Sequence, residues 1–167
     1  MSIAESMLPE FDMEMAKTRR MLERVPAANF AWKPHEKSWC VGQLALHLAR
    51  IPEWLAMTMN TDEVDFAQSP PPKYEEPANA AEVLAKFDAN VAASRVSLAG
   101  AADERMLGTW TGRSGDQVHF VLPRVALVRG FIMNHMIHHR GQLTVYYRML
   151  GVPVPALFGP SADESAM

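Results

Sequence analysis

The stretch Asn134-His-Met-Ile-His-His-Arg-Gly-Gln142 lies in the middle of a segment that opens at Pro123 and closes at Leu150-Gly151. Proline suits the first position of a helix and glycine the position just past its end, so the segment predicts one helix of about 40 Å at 1.5 Å rise per residue. A helix of that length needs long partners to bury its apolar side, and the upstream sequence supplies three. From about Ile3 to Val25, Met7, Leu8, Phe11, Met15, Met21 and Leu22 trace one apolar stripe, and Pro26 ends the helix. A second helix runs from about Val41 to Met59. Cys40 stands where Ser or Thr makes a better N-cap, while Gln43 supplies the reciprocal half of a capping box. Asn79 followed by Glu82 opens a third helix over about Ala80 to Ala99, with Val83, Leu84, Phe87, Val91 and Leu98 on its apolar side and Gly100 as a stop.

Between the second and third helices, residues 61–78 carry Asp62, Glu63, Asp65, the triplet Pro70-Pro71-Pro72 and Pro77. Such a segment cannot propagate a helix and reads as a long, partly extended crossover, which lets the third helix run parallel to the second. The two glycines of Thr109-Trp-Thr-Gly-Arg-Ser-Gly-Asp116 suggest a tight turn and a short hairpin with Val118 to Val121. No repeat or composition shift marks a second domain. The expectation is therefore one all-α domain over residues 1–167, a four-helix bundle with a long crossover between helices two and three. A three-helix domain with a β-rich insertion over residues 108–121 is the competing architecture.

At 167 residues the chain is long enough to bury about two-thirds of its unfolded surface. Apolar residues at 49% and charged residues at 21% match ordinary globular usage, which speaks against a disordered or membrane protein. The formal charge of -3, with scattered lysines and arginines, argues against nucleic acid as a partner. The early acids of MSIAESMLPEFDMEMAKTRRML fit neither a secretory signal nor a transit peptide, and no segment approaches the roughly 20 apolar residues of a membrane span. Cys40 is the single cysteine, so neither an internal disulfide nor a Cys-based metal cage can form, and a cytoplasmic location is expected. The twelve methionines are read as adaptable core filler.

Three of the six histidines crowd into the opening stretch. Residues four apart on a helix lie about 40° apart around the axis and one turn apart along it, so His135 and His139 can bind one ion. His138 lies about 60° to the other side of His135, which leaves a His135/His138 pair open as well. His47 stands in the apolar run Leu44-Ala-Leu-His-Leu-Ala49 and must point into the interior or a cleft. There its unpaired polar atoms would cost on the order of 1–3 kcal/mol, a penalty that a metal ion removes. Imidazoles suit zinc, nickel, copper or iron, and three of them leave a coordination position open for water or substrate. Met136 follows His135, so the glutamate of an H-E-x-x-H zinc protease is missing from its place.

Three tracts carry a resemblance. Lys37-Ser-Trp-Cys-Val-Gly-Gln-Leu-Ala-Leu-His-Leu-Ala-Arg50, His135-Met-Ile-His-His-Arg-Gly-Gln142 and the ending Gly151-Val-Pro-Val-Pro155 with Gly159-Pro-Ser-Ala-Asp-Glu164 are similar to the DinB/YfiT-like superfamily over nearly the whole chain. The resemblance implies a four-helix bundle with parallel second and third helices, frequently a homodimer. It also implies a divalent transition metal, zinc, nickel or iron foremost, held by His47, His135 and His139. Cys40 departs from the usual Ser or Thr at its helix start. Activities that the resemblance brings with it are bacillithiol transferase and mycothiol-dependent maleylpyruvate isomerase, in which a metal binds a low-molecular-weight thiol. The expected function is a metal-dependent, thiol-dependent S-transferase or isomerase acting on electrophilic small molecules. The alternative is a non-catalytic metal-binding stress-response protein that binds or senses small molecules.

The remaining candidates have plainer readings. His138 is expected to be exposed or packed structurally. Arg140 reads as a surface charge or an anchor for an anionic substrate, and Gln142, three residues after His139, as support for that ligand's second nitrogen. Arg50, three positions after His47, is within reach of the site mouth, but a salt bridge to a neighbouring helix is the expected role, and His35 and His119 are expected to lie on the surface. Trp32, Trp39 and Trp54 are expected to pack around the second helix rather than to stack on a ligand. Gly130 and Gly141, each about 1 kcal/mol poorer than alanine in a helix, suggest close helix contact.

Overall fold

The first three long helices each begin where a side chain satisfies backbone N–H groups that the first turn leaves unpaired, whereas the last has no side-chain cap. In α1 (Ile3–Leu22), the Ser2 hydroxyl accepts from Glu5 N at 3.1 Å while Ser2 N donates to the Glu5 carboxylate at 2.6 Å. In α2 (Val41–Asn60), Cys40 Sγ accepts from Gln43 N at 3.5 Å and Cys40 N donates to Gln43 Oε1 at 3.0 Å. The capping box is complete despite its sulfur acceptor. At α3 (Ala80–Ala99) the Asn79 side chain accepts from Glu82 N, but Glu82 reaches back to Ala78 N instead of Asn79 N.

The computed structural model describes residues 1–70 and 73–165, so Pro71 and Pro72 of the proline triplet lie outside the described residues. Between α1 and α2 is a 3-10 turn (Ala27–Asn29); β1 (Glu63–Asp65) lies in the crossover. After α3 come α4 (Asp103–Leu107), β2 (Thr109–Ser114) and β3 (Gln117–Pro123). The last helix starts as α5 (Arg124–Ala126), widens into a π-helical stretch (Leu127–Met133) and continues as α6 (Asn134–Met149). Pro123 is thus the residue before the helix, one position earlier than expected. The helix ends as expected: Gly151 has φ 68°, Val152 N donates to Tyr147 O and Gly151 N to Arg148 O. This left-handed stop strongly favours glycine.

Hydrogen bonds between helices fix their directions. Asn90 donates to Ala49 O, Ser94 to Pro52 O and Asn60 to Ser97, so α2 and α3 run parallel. Arg19 pairs with Asp88 and Arg95 with Asp12, so α1 is antiparallel to α3. Glu14 meets Arg140 and Met21 O meets the Tyr147 hydroxyl, so α1 runs parallel to α6. One core fills the space between these helices, including Phe11, Leu44, Leu48, Phe87, Leu143 and Tyr147. Met7, Met15, Met21, Met59, Met106, Met133 and Met136 are buried, as the filler reading expects, whereas Met1, Met13 and Met149 are exposed and depart from it.

The protein is mostly helical but not all-α. A three-stranded sheet of order β1-β2-β3 lies beside the helices, with β1 parallel to β2 and β3 antiparallel to it. The crossover, read as long and partly extended, supplies β1, because Arg113 in β2 pairs with both Glu63 and Asp65, and Asp65 also accepts from Gly115 N. Val64, Trp110 and Leu127 form a second small core beneath the sheet. Gly112 is required there: a Cβ at this position would lie 2.5 Å from the Phe120 ring. The acidic residues of the crossover also anchor the last helix. Asp62 pairs with Arg105 and with the buried Arg124, which donates in addition to the carbonyls of Thr58, Thr61 and Thr109.

Candidate metal centre

His47 comes from the middle of α2, and His135 and His139 from consecutive turns of α6. The structure brings the three together: His47 Nε2 is 3.3 Å from His135 Nε2, and His139 Nε2 is 2.8 Å from His135 Nε2. One ligand atom from each lies within 4.8 Å of the others. Metal–nitrogen bonds of about 2.0–2.1 Å place neighbouring donors about 2.9 Å apart at right angles and about 3.3 Å apart at tetrahedral angles. The two spacings to His135 lie close to that range, so the three imidazoles could hold one divalent ion. Among the described residues no carboxylate or thiol joins them.

The orientation of the rings supports the same use. His139 Nδ1 lies 2.7 Å from Gln142 Oε1, so Nδ1–H donates to the amide oxygen and Nε2 presents its lone pair to the cluster. Gln142 thus does what the sequence suggested for it. Burial lowers the pKa of His47 to about 4, helped by His139, His135 and Arg50. Burial also lowers His135, assisted by His139 and His138 and opposed by a hydrogen bond to the Phe131 backbone. His139 is lowered chiefly by burial and further by His138, while its bond to Gln142 opposes the shift. Imidazoles held neutral near physiological pH are in the protonation state that metal binding requires.

The other candidates fall in different places. His138 is exposed with its ring 4.9 Å from that of His139, and it lies outside the cluster. Exposed His35 and His119 bond only local partners, Lys37 N and Ser114. Trp32 and Trp54 pack against the core, but Trp39 is 44% exposed and does not. Its ring stacks on His139 at 5.6 Å and meets His47 edge-on at 4.9 Å, forming one wall of the cluster. On the other side Phe131, 54% exposed, lies 6.0 Å from His135. The sequence favours packing over a stacking role for Trp39 and gives no signal for Phe131, because their proximity to the rings depends on how α2 meets α6.

Three expectations are corrected. Arg140 is neither a surface charge nor a substrate anchor: it is 1% exposed and binds the Glu14 carboxylate at 2.6 Å, the Glu14 carbonyl and Thr18. A buried guanidinium needs such a partner, and it joins α6 to α1 one residue beyond His139. Arg50 makes no salt bridge among the described residues. Gly130 and Gly141 face open space, since a Cβ at either position would meet nothing within 4 Å.

Fold and site together define a mostly helical protein in which three histidines from two long helices could hold a divalent metal ion. The chain belongs to the DinB family, whose model matches residues 1–166. It is 28% identical over 164 residues to uncharacterized protein YrdA of Bacillus subtilis (strain 168), covering 95% of this chain and 90% of that protein. Two solved structures share the fold. One is a DinB-like protein from Bacillus cereus ATCC 10987, with a TM-score of 0.71, 23% identity and coverage of 94% of this chain and 98% of that one. The other is the DinB-like protein YjoA from Bacillus subtilis, with a TM-score of 0.68, 18% identity and coverage of 89% and 96%. No helix among the described residues is long and apolar enough to cross a membrane.

Proposed function

We propose that this protein is a metal-dependent enzyme that joins a low-molecular-weight thiol to an electrophilic small molecule, or isomerises such a molecule through a thiol adduct. The observation that carries this reading is a three-imidazole donor set that no carboxylate or thiol among the described residues joins. When bound, a divalent ion such as zinc, nickel or iron would lower the pKa of a thiol at its open position and supply thiolate at neutral pH. In the transfer reaction the sulfur forms a bond to the electrophilic carbon as a leaving group departs with its electron pair. The chain's own residues hold and shape the site: Gln142 orients His139, while Trp39 and Phe131 flank the rings. The protein's one thiol does not compete for this role, since Cys40 is buried and its sulfur caps α2.

The test loads the protein separately with zinc, nickel and iron and measures thiol consumption across bacillithiol, mycothiol and simpler thiols with a panel of electrophiles. Metal-dependent consumption supports the proposal. A fully loaded protein that leaves every rate at the background value refutes transfer and turns the reading to non-catalytic metal binding. We propose further that the chain acts as a cytoplasmic homodimer on a small-molecule substrate, with neither nucleic acid nor membrane as a partner. Sedimentation equilibrium checks the dimer directly.

A further inference from the structure

Arg50 stands apart from every other arginine of the chain. The others each have an ion pair or hydrogen bond, to a carboxylate, a carbonyl or both. Among the described residues Arg50 has none, although it is partly buried. It follows His47 by three positions on α2, which places it one turn along and about 60° around the helix from that candidate ligand. Four positions further on, Trp54 packs 6.1 Å from Phe66 and lines a small cavity with Phe120 and Phe131, the latter beside His135. Arg50 therefore lies on the side of α2 that runs from the histidine cluster to this aromatic group. Its charge is close enough to His47 to help lower that ring's pKa.

The charge balance of the site is unusual in a chain of net charge -3. Three neutral imidazoles leave a divalent ion's charge undiminished, and no carboxylate among the described residues joins them. An unpaired guanidinium one helical turn from His47 adds a further positive charge on that side of α2. A partly buried guanidinium without an acceptor leaves a planar fork of donors suited to two carboxylate oxygens. We infer that Arg50 binds a carboxylate on the molecule that occupies the metal's open position, so that the ligand of this site is an anion anchored at two points. The inference rests on the metal reading above but not on the thiol chemistry.

The probes are the monohydroxamates of succinate, glutarate and adipate, each paired with its terminal amide. Within a pair the metal-binding head is constant and only the distal charge changes, while the three chain lengths cover different reaches to Arg50. Zinc content is measured first, then probe affinity by calorimetry on the zinc-loaded full chain. The parent protein is expected to prefer at least one carboxylate over its amide by about tenfold, as a charge-assisted hydrogen bond at a partly exposed site gives. Arg50→Ala should retain zinc and reduce that preference below about twofold, with Arg50→Lys keeping part of it, since a point charge replaces the fork. Should Arg50→Ala fail to fold, Arg50→Gln gives the same reading. With zinc bound, equal affinities within all three pairs, or a preference that survives loss of the guanidinium, would overturn the role of Arg50 alone. Failure of the parent to bind zinc would overturn the metal reading and this inference with it.

Discussion

Replacing Gln142 by methionine tests whether the amide at His139 acts on metal binding or merely decorates the helix. Methionine has nearly the same length and helix propensity as glutamine, so the helix itself should change by no more than a few tenths of a kcal/mol. What disappears is the oxygen 2.7 Å from His139 Nδ1, the acceptor that holds this ring with Nε2 toward the other two. Loss of such an outer partner typically weakens metal affinity by 10–100-fold, or about 1.4–2.7 kcal/mol. Gln142 is exposed, so water can take over part of its hydrogen bonding, and the lower end of the range, about tenfold, is expected. Gln142→Glu keeps an acceptor and adds charge, so its affinity should equal or exceed the parent's. Zinc competition against a chromophoric chelator at neutral pH measures both variants, with circular dichroism to confirm equal helix content. An affinity for Gln142→Met within about threefold of the parent's would refute the orienting role.

Other perturbations reach different parts of the molecule. His47→Ala, His135→Ala and His139→Ala should each sharply weaken metal binding while His138→Ala leaves it near the parent's; loss of metal in His138→Ala with retention in His139→Ala would reassign the pair. Gly141→Ala should raise unfolding free energy by about 0.5–1 kcal/mol in urea titration, because the new methyl group meets open space and the helix gains propensity. The folded chain holds His47 neutral down to about pH 4, whereas the unfolded chain takes up the proton near the ordinary 6.5. Stability of the metal-free protein should therefore be full above about pH 6.5 and be lost progressively as pH falls toward about 4, and zinc affinity should likewise hold until pH drops below the ordinary imidazole range. Thermal melts and zinc titrations across that window check both; a metal-free stability flat from pH 7 to 4 contradicts the burial of His47. Glu14→Leu strands the Arg140 guanidinium and should cost about 3–5 kcal/mol, most of it recovered when Arg140→Met is added.

The features legible in the sequence are those set by neighbours along the chain. Asn79 and Glu82 marked the start of α3, Cys40 and Gln43 that of α2, and Gly151 the end of α6, because a cap is a matter of three or four residues. The spacing of His135 and His139 on one helix was readable for the same reason. What the sequence concealed are pairings across space. Glu63–Asp65 became a strand only because β2, nearly fifty residues later, offers its edge and Arg113. Arg140 looks like a surface charge until α1 places Glu14 beside it, and Trp39 looks like mere packing for α2 until α6 places His139 against it. The π-helical stretch has no composition signature of its own, yet it ends two residues before His135, and such widened turns often occur at functional sites.

The same distinction governs electrostatics, where a net charge describes the chain and a local field describes the site. Counting charges gives -3 and argues against a polyanionic partner, but it treats each carboxylate as free to act anywhere. In the folded chain many are committed elsewhere: Glu14 to Arg140, Asp62 to Arg105 and Arg124, Glu63 and Asp65 to Arg113, Asp163 to Arg148, and Glu164 to Arg20 and Arg24. Screening confines an exposed charge to about 8–10 Å at physiological ionic strength, so distant acids do little to offset what lies beside the histidines. There the neighbours are neutral rings, two aromatic walls and Arg50. An ion bound among them would keep nearly its full charge, and the ligand would have to supply the compensating anion. A protein that is acidic overall could thus select a small anion at one site, and that preference would follow from which carboxylates the fold has already used.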